Sequence, residues 1–270
     1  MGDWAYSPHQ AMCIIKFKTA CLLLCLNIIV CLPIMSEPLA ENTSADFRDF
    51  IPAVTEPTVE AVDWTISYAF NTQDTKAPRV LLVGDSICNG YQSALRERLA
   101  GKVNVSFWVS SYCVTHPQYM EMLDVVLRGP RPQLVLFNNG LHTPRTEDFA
   151  IWKAAYGKVL AFLRAKLPDA RIVIVNSTPL KDDANGYVDA INKATAEISE
   201  AEHLELLDIH GLCAAWDREE LWSDRYHFKP QGKTMQAEFL SEAILRFFPQ
   251  SQTNAAPPQE SATGPDGAIK

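Results

Sequence analysis

Positive charge is scarce in this 270-residue chain: 24 Lys and Arg face 32 Asp and Glu, a formal net charge of −8. Binding to nucleic acid needs a basic stripe to neutralise phosphates, so that class of partner is excluded. Cysteine is thin as well. Four of the seven (Cys13, Cys21, Cys25, Cys31) fall in the first 31 residues, and Cys88, Cys113 and Cys213 are scattered over the rest. A body of this size with three cysteines is not built on disulfides. No cysteine pair has zinc-ligand spacing, no metal or organic cofactor is expected, and no internal repeat is present.

Long apolar runs are limited to one. Lys16 and Lys18 precede Thr19 to Met35, which only Asn27 and Pro33 interrupt. A charged start followed by such a run is the pattern of a secretory signal, so residues 1–36 are expected to be a signal peptide. An uncleaved N-terminal anchor is the second reading, although the run is slightly short of the ~20 residues of a comfortable span. The protein is therefore expected to be exported, secreted or periplasmic, with membrane contact only through that segment. Residues 37–77 read as an acidic linker or approach segment carrying apolar anchors: Phe47, Phe50, Ile51, Trp64, Tyr68 and Phe70. Residues 249–270 have almost nothing to bury and are expected to be disordered.

Between them, residues 78–248 alternate short apolar runs with amphipathic stretches. Strands are expected at Arg79–Val83, Val103–Val109, Leu134–Asn138, Arg171–Val175 and Leu204–Ile209. Helices are expected at Ile87–Leu99, Tyr119–Leu127, Val188–Glu200 and Gly232–Phe248. Another is marked by Phe149, Trp152, Tyr156, Val159, Leu160, Leu163 and Leu167, at steps of three and four. Strands alternating with helices imply parallel pairing, hence a three-layer α/β/α sandwich around a mostly parallel five-stranded sheet.

In such sheets ligands bind at the carboxyl ends of the strands. Gly84-Asp85-Ser86-Ile87 follows the first of these strands and opens its helix. A serine there has its hydroxyl at the mouth of the sheet and its N–H at a helix N-terminus, although capping alone would explain a Ser or Asp at that point. Ser223-Asp224-Arg225-Tyr226-His227 precedes Pro230 and the last helix. Asp and His three apart can set a carboxylate against Nδ1, leaving Nε2 free to take a proton from a hydroxyl. There is no G-x-S-x-G elbow, which disfavours the α/β-hydrolase form of a serine triad.

Gly84-Asp85-Ser86 near the start and Asp224-x-x-His227 near the end resemble the first and last blocks of the GDSL/SGNH hydrolase family. The resemblance implies the flavodoxin-like SGNH fold, Ser86 as nucleophile, His227 as base and Asp224 as its orienting acid. Phe137-Asn138-Asn139-Gly140-Leu141-His142 is similar to the family branch that reads Asn-x-Gly-Leu-His. On that match the oxyanion hole comprises Ser86, Gly140 and either His142 or Asn138, with His142 favoured. The family's second block supplies a glycine N–H, whereas here the loop reads Ser110-Ser111-Tyr112-Cys113-Val114-Thr115 and has none. Asp85 is expected to hold the nucleophile turn. The resemblance implies ester hydrolysis, the removal of an acetyl or other short acyl group from a carbohydrate or similar small-molecule ester. An O-acyltransferase with the same triad and a non-catalytic glycan- or lipid-binding module are the alternatives.

Other residues leave choices open. Cys88 and Cys113 both flank the expected site, either as free thiols or as a pair. Trp216 and Trp222 approach the Asp224–His227 loop, as core or as a sugar platform. His116, His203 and His210 show no ligand pattern. Asn42, Asn104 and Asn176 begin N-x-Ser/Thr sequons.

Overall fold

The computed structural model describes residues 45–53, 60–143, 149–182 and 186–248. The expected signal segment (1–36) and tail (249–270) lie outside the described residues. Among the described residues no helix is long and apolar enough to cross a membrane.

A six-stranded sheet forms the middle layer: β1 (Thr65–Ala69), β2 (Arg79–Gly84), β3 (Asn104–Ser110), β4 (Leu134–Phe137), β5 (Arg171–Val175) and β6 (Glu205–Leu207), in the order β1-β3-β2-β4-β5-β6. The last five are parallel, and β1 is antiparallel to β3. Five expected strands are present within a residue or two at most ends. The sixth corrects the expected count, since it comes from the segment read as a linker. β1 is mostly exposed and too short for a clear alternating pattern, so it is defined by pairing rather than by its own hydrophobicity. Its effect falls on β3, all seven residues of which are buried although only β2 and β1 flank it. Trp64, Ile66 and Phe70 pack on one core cluster, and Phe47 and Phe50, in a short 3₁₀ turn (Phe47–Phe50), pack on the other.

The parallel part runs β3-β2-β4-β5-β6, so the chain winds to one side of β2 and then to the other. That reversal makes the carboxyl end of β2 the topological switch point, where such sheets bind ligands. β2 is buried on both faces, as a central parallel strand requires. Val80 and Leu82 face one core with α1 (Ser86–Leu99) and α7 (Pro230–Phe247). Leu81 and Val83 face the other, with α2 (Tyr119–Leu127), α3 (Ala150–Lys166) and α4 (Gly186–Ala201). Each such Val or Leu contributes about 1.5–3 kcal/mol on burial. Two short helices, α5 (Ile209–Ala214) and α6 (Arg218–Leu221), lead from β6 to the loop before α7.

Of the three sequons, Asn42 lies outside the described residues. Asn104 and Asn176 are buried and hydrogen-bonded to neighbouring side chains, so neither is placed to receive a glycan.

Candidate active site

Gly84 ends β2 with no room for a side chain: a Cβ there would sit 2.6 Å from Cβ of Cys88. The chain turns at once into α1, whose N-cap is Asp85. The Asp85 Oδ1 accepts the Ile87 N–H at 2.9 Å, so Asp85 holds the turn. Ser86 is the first residue of the helix and remains partly exposed at the sheet crest.

The second half of the site is a tight loop between α6 and α7. Ser223 N–H donates to the His227 carbonyl at 2.8 Å, and Trp222 bridges to Phe228, closing the loop at its base. Inside it, Asp224 Oδ1 accepts the N–H groups of Tyr226 and His227, both at 2.9 Å. The same carboxylate meets His227 Nδ1 at 2.9 and 3.0 Å. A carboxylate can only accept, so the proton is on Nδ1 and Nε2 is left with a lone pair. That nitrogen lies 2.9 Å from Ser86 Oγ, 141 residues away in sequence. Ser86, His227 and Asp224 are therefore brought together in a single relay.

Partial burial alone would raise the Asp224 carboxyl. The two backbone donors and the imidazole outweigh it and hold the group at about 2, below its ordinary 3.8. Asp224 thus stays ionised through the neutral range. Its stabilising effect is fully present above about pH 4 and is lost as pH falls through 2.

The loop after β4 departs from expectation. Asn138 spends both amide hydrogens on the carbonyls of Val175 (2.7 Å) and Asn176 (3.1 Å), so it ties β4 to β5 and cannot serve as an oxyanion donor. Gly140 is packed too closely for any side chain, because a Cβ would fall 1.8 Å from Ser177 Oγ. His142 turns toward the approach segment: its Nδ1 is 2.5 Å from Glu60 Oε1, and its ring lies edge-on to Trp64. The favoured oxyanion role of His142 would fall to its other ring nitrogen, Nε2, since Nδ1 is taken by Glu60.

Sequence reasoning missed Asn139. It is buried, and it accepts the Val114 N–H at 3.0 Å while donating to the Tyr112 carbonyl at 2.8 Å. Asn138 reaches toward β5 and Asn139 toward the loop after β3, so the pair straddles the β2 terminus that carries Ser86. Alternation of side chains past the end of a strand was the available signal. Asn139→Ala is expected to lower kcat about 10²-fold if it loosens one oxyanion loop. It should also cost about 1–3 kcal/mol, because buried backbone groups lose their partners. Steady-state kinetics and urea melts measure the two effects separately.

The remaining candidates resolve individually. Cys88 and Cys113 are both free and buried, so they do not form a pair. Burial pushes the Cys88 thiol, like that of Cys213, up to about 12, and it raises Cys113 as well. In the native protein iodoacetamide is expected to leave all three unmodified at pH 8, and peptide mapping before and after denaturation checks this. Trp222 is fully buried in the core, and the half-buried Trp216 packs on it and on Phe228. His116 stacks on Tyr112 and pairs with Asp63, joining the approach segment to the β3 loop. Among the described residues no group of three or more His, Cys, Asp or Glu could hold a metal.

Beside the Ser86–His227 pair opens a cleft of about 290 Å³ between α1 and α7, lined also by Asn89, Phe228 and Lys233. A doubly wound sheet with this constellation at its switch point defines an ester-hydrolysing α/β enzyme of the SGNH kind. The chain belongs to the GDSL-like lipase/acylhydrolase family, whose profile matches residues 82–235. Its fold is similar to that of an SGNH hydrolase from Slackia heliotrinireducens, at 20% identity over 63% of this chain and 100% of that one, with a TM-score of 0.51. A member of the lipolytic G-D-S-L family from Veillonella parvula is similar at 16% identity over 63% and 100% of the two chains, TM-score 0.51. A carbohydrate esterase family 3 protein from Talaromyces cellulolyticus is similar at 16% identity over 63% and 97%, TM-score 0.51. No curated protein matches the chain.

Proposed function

We propose that the protein is a serine carboxylic-ester hydrolase that removes an acetyl or other short acyl group from a carbohydrate or similar ester. The observation that carries this reading is the 2.9 Å contact between His227 Nε2 and Ser86 Oγ, with Asp224 on the opposite ring nitrogen. His227 takes the hydroxyl proton as Ser86 attacks the ester carbon, and Asp224 stabilises the imidazolium. The protonated Nε2 then delivers its proton to the leaving alcohol. Water, deprotonated by the same nitrogen, releases the acid from the acyl-enzyme.

The oxyanion is expected to take the Ser86 N–H at the start of α1 and one N–H from the loop after β3. In that loop Tyr112 N–H donates to Ser110 Oγ and Val114 N–H to Asn139, which leaves the N–H of Cys113 for the role. A glycine is then unnecessary, because what the chemistry needs is an aimed donor. The short-acyl, carbohydrate part of the reading is supported by the fold likeness to a carbohydrate esterase and to an acetyl esterase crystallised with acetate. Treatment with a fluorophosphonate and with p-nitrophenyl acetate tests it, and labelling should be confined to Ser86. Product analysis with an added glycan acceptor separates hydrolysis from acyl transfer. Glycan binding without turnover of any activated ester would favour a binding module instead.

A further inference from the structure

The cleft between α1 and α7 does more than expose the serine. It is lined by Ser86, His227 and Phe228 and by none of the residues in the loops after β3 and β4. Since His227 returns its proton to the leaving oxygen, the alcohol half of an ester belongs on the histidine side, in this cleft. Lys233, on the first turns of α7, reaches into it. Its stem lies along α1 over Gly90, where an added Cβ would come within 3.3 Å of the lysine Cε. The ammonium has no hydrogen bond or ion pair to any described residue, and the Asn89 amide beside it is likewise unengaged. Among the described residues no carboxylate lines the cleft, in a chain that carries 32 of them. Gly90 stands four residues beyond Ser86 on the same helix, about 6 Å along the axis.

We infer that Lys233 is a specificity residue that selects esters whose alcohol portion carries an anionic group, a carboxylate foremost, about one six-membered ring away from the ester oxygen. Acylated hydroxy acids and acidic sugars have this chemistry. The inference rests on the ester-hydrolase reading of the same site. Because Lys233 is half-buried, its charge is neither fully screened nor fully desolvated, and a contribution of about tenfold is expected.

The experiment compares 4-acetoxybenzoate with its methyl ester, which differ by one charge on the leaving alcohol. The ratio of their kcat/KM values should fall about tenfold in Lys233→Gln, fall further in Lys233→Glu and be largely kept in Lys233→Arg. Raising ionic strength should lower the wild-type ratio but not that of Lys233→Gln. A ratio unmoved by Lys233→Gln, or an equal loss for both esters, overturns the inference. Calorimetric binding of 4-acetoxybenzoate to the Ser86→Ala protein, with and without Lys233→Gln, gives a readout that needs no turnover. If the wild type hydrolyses neither ester while this binding still depends on Lys233, the esterase reading fails and the anion site stands. Binding indifferent to Lys233 removes the anion site.

Discussion

Ser86→Ala and His227→Ala should each lower kcat for p-nitrophenyl acetate about 10⁴–10⁶-fold, with the double variant little worse than either alone. The near-equality follows from the geometry. The hydroxyl and Nε2 share one proton across 2.9 Å, so removing either partner removes the same step. Both side chains are partly exposed, and the variants should melt within a few degrees of the parent. Asp224 is held at about 2 and does not titrate in the working range, so it should add no proton to the acid limb of the rate profile between about pH 4 and 8. Full activity in either alanine variant would end the triad reading.

Trp222→Ala should give the largest loss of stability, about 3–5 kcal/mol, with a fall in Tm of about 10 °C. Trp222 is fully buried, its ring lies 4.4 Å from that of Phe228, and it anchors the base of the loop that holds Asp224 and His227. Activity should fall with it, because the imidazole loses its fixed position. Trp222→Phe should recover most of both, since the buried indole Nε1 has no hydrogen-bond partner to lose. Thermal melts of the two variants decide between packing and a platform for sugar: a platform residue would weaken substrate binding and leave Tm unmoved.

Several elements are legible in the chain alone. β2, β4 and β5 are continuous apolar runs bounded by Gly, Pro or charged residues, and α3 repeats its apolar residues at helical spacing. Gly84-Asp85-Ser86 and Asp224-x-x-His227 stand out because each sits at a strand–helix junction or the entry to a helix, where backbone geometry limits the residues allowed. β1 is not legible in this way. Thr65–Ala69 is mostly exposed, and its identity as a strand comes from its partner β3, not from its own pattern. Glu60 and Asp63 belong to an acidic stretch with no motif, yet they meet His142 and His116 across more than fifty residues.

The order of residues fixes what is local: helical period, buried strands, and a serine and a histidine each in a turn suited to chemistry. Such features depend on residues within a few positions of one another, so a linear reading captures them. Which hydrogen goes where is settled by the folded sheet. Asn138 turns to β5, Asn139 to the loop after β3, His142 to Glu60 and Lys233 along α1. Each of these choices is a contest among partners that meet only once the strands have paired, and the outcome is set by distance and direction that no spacing along the chain encodes.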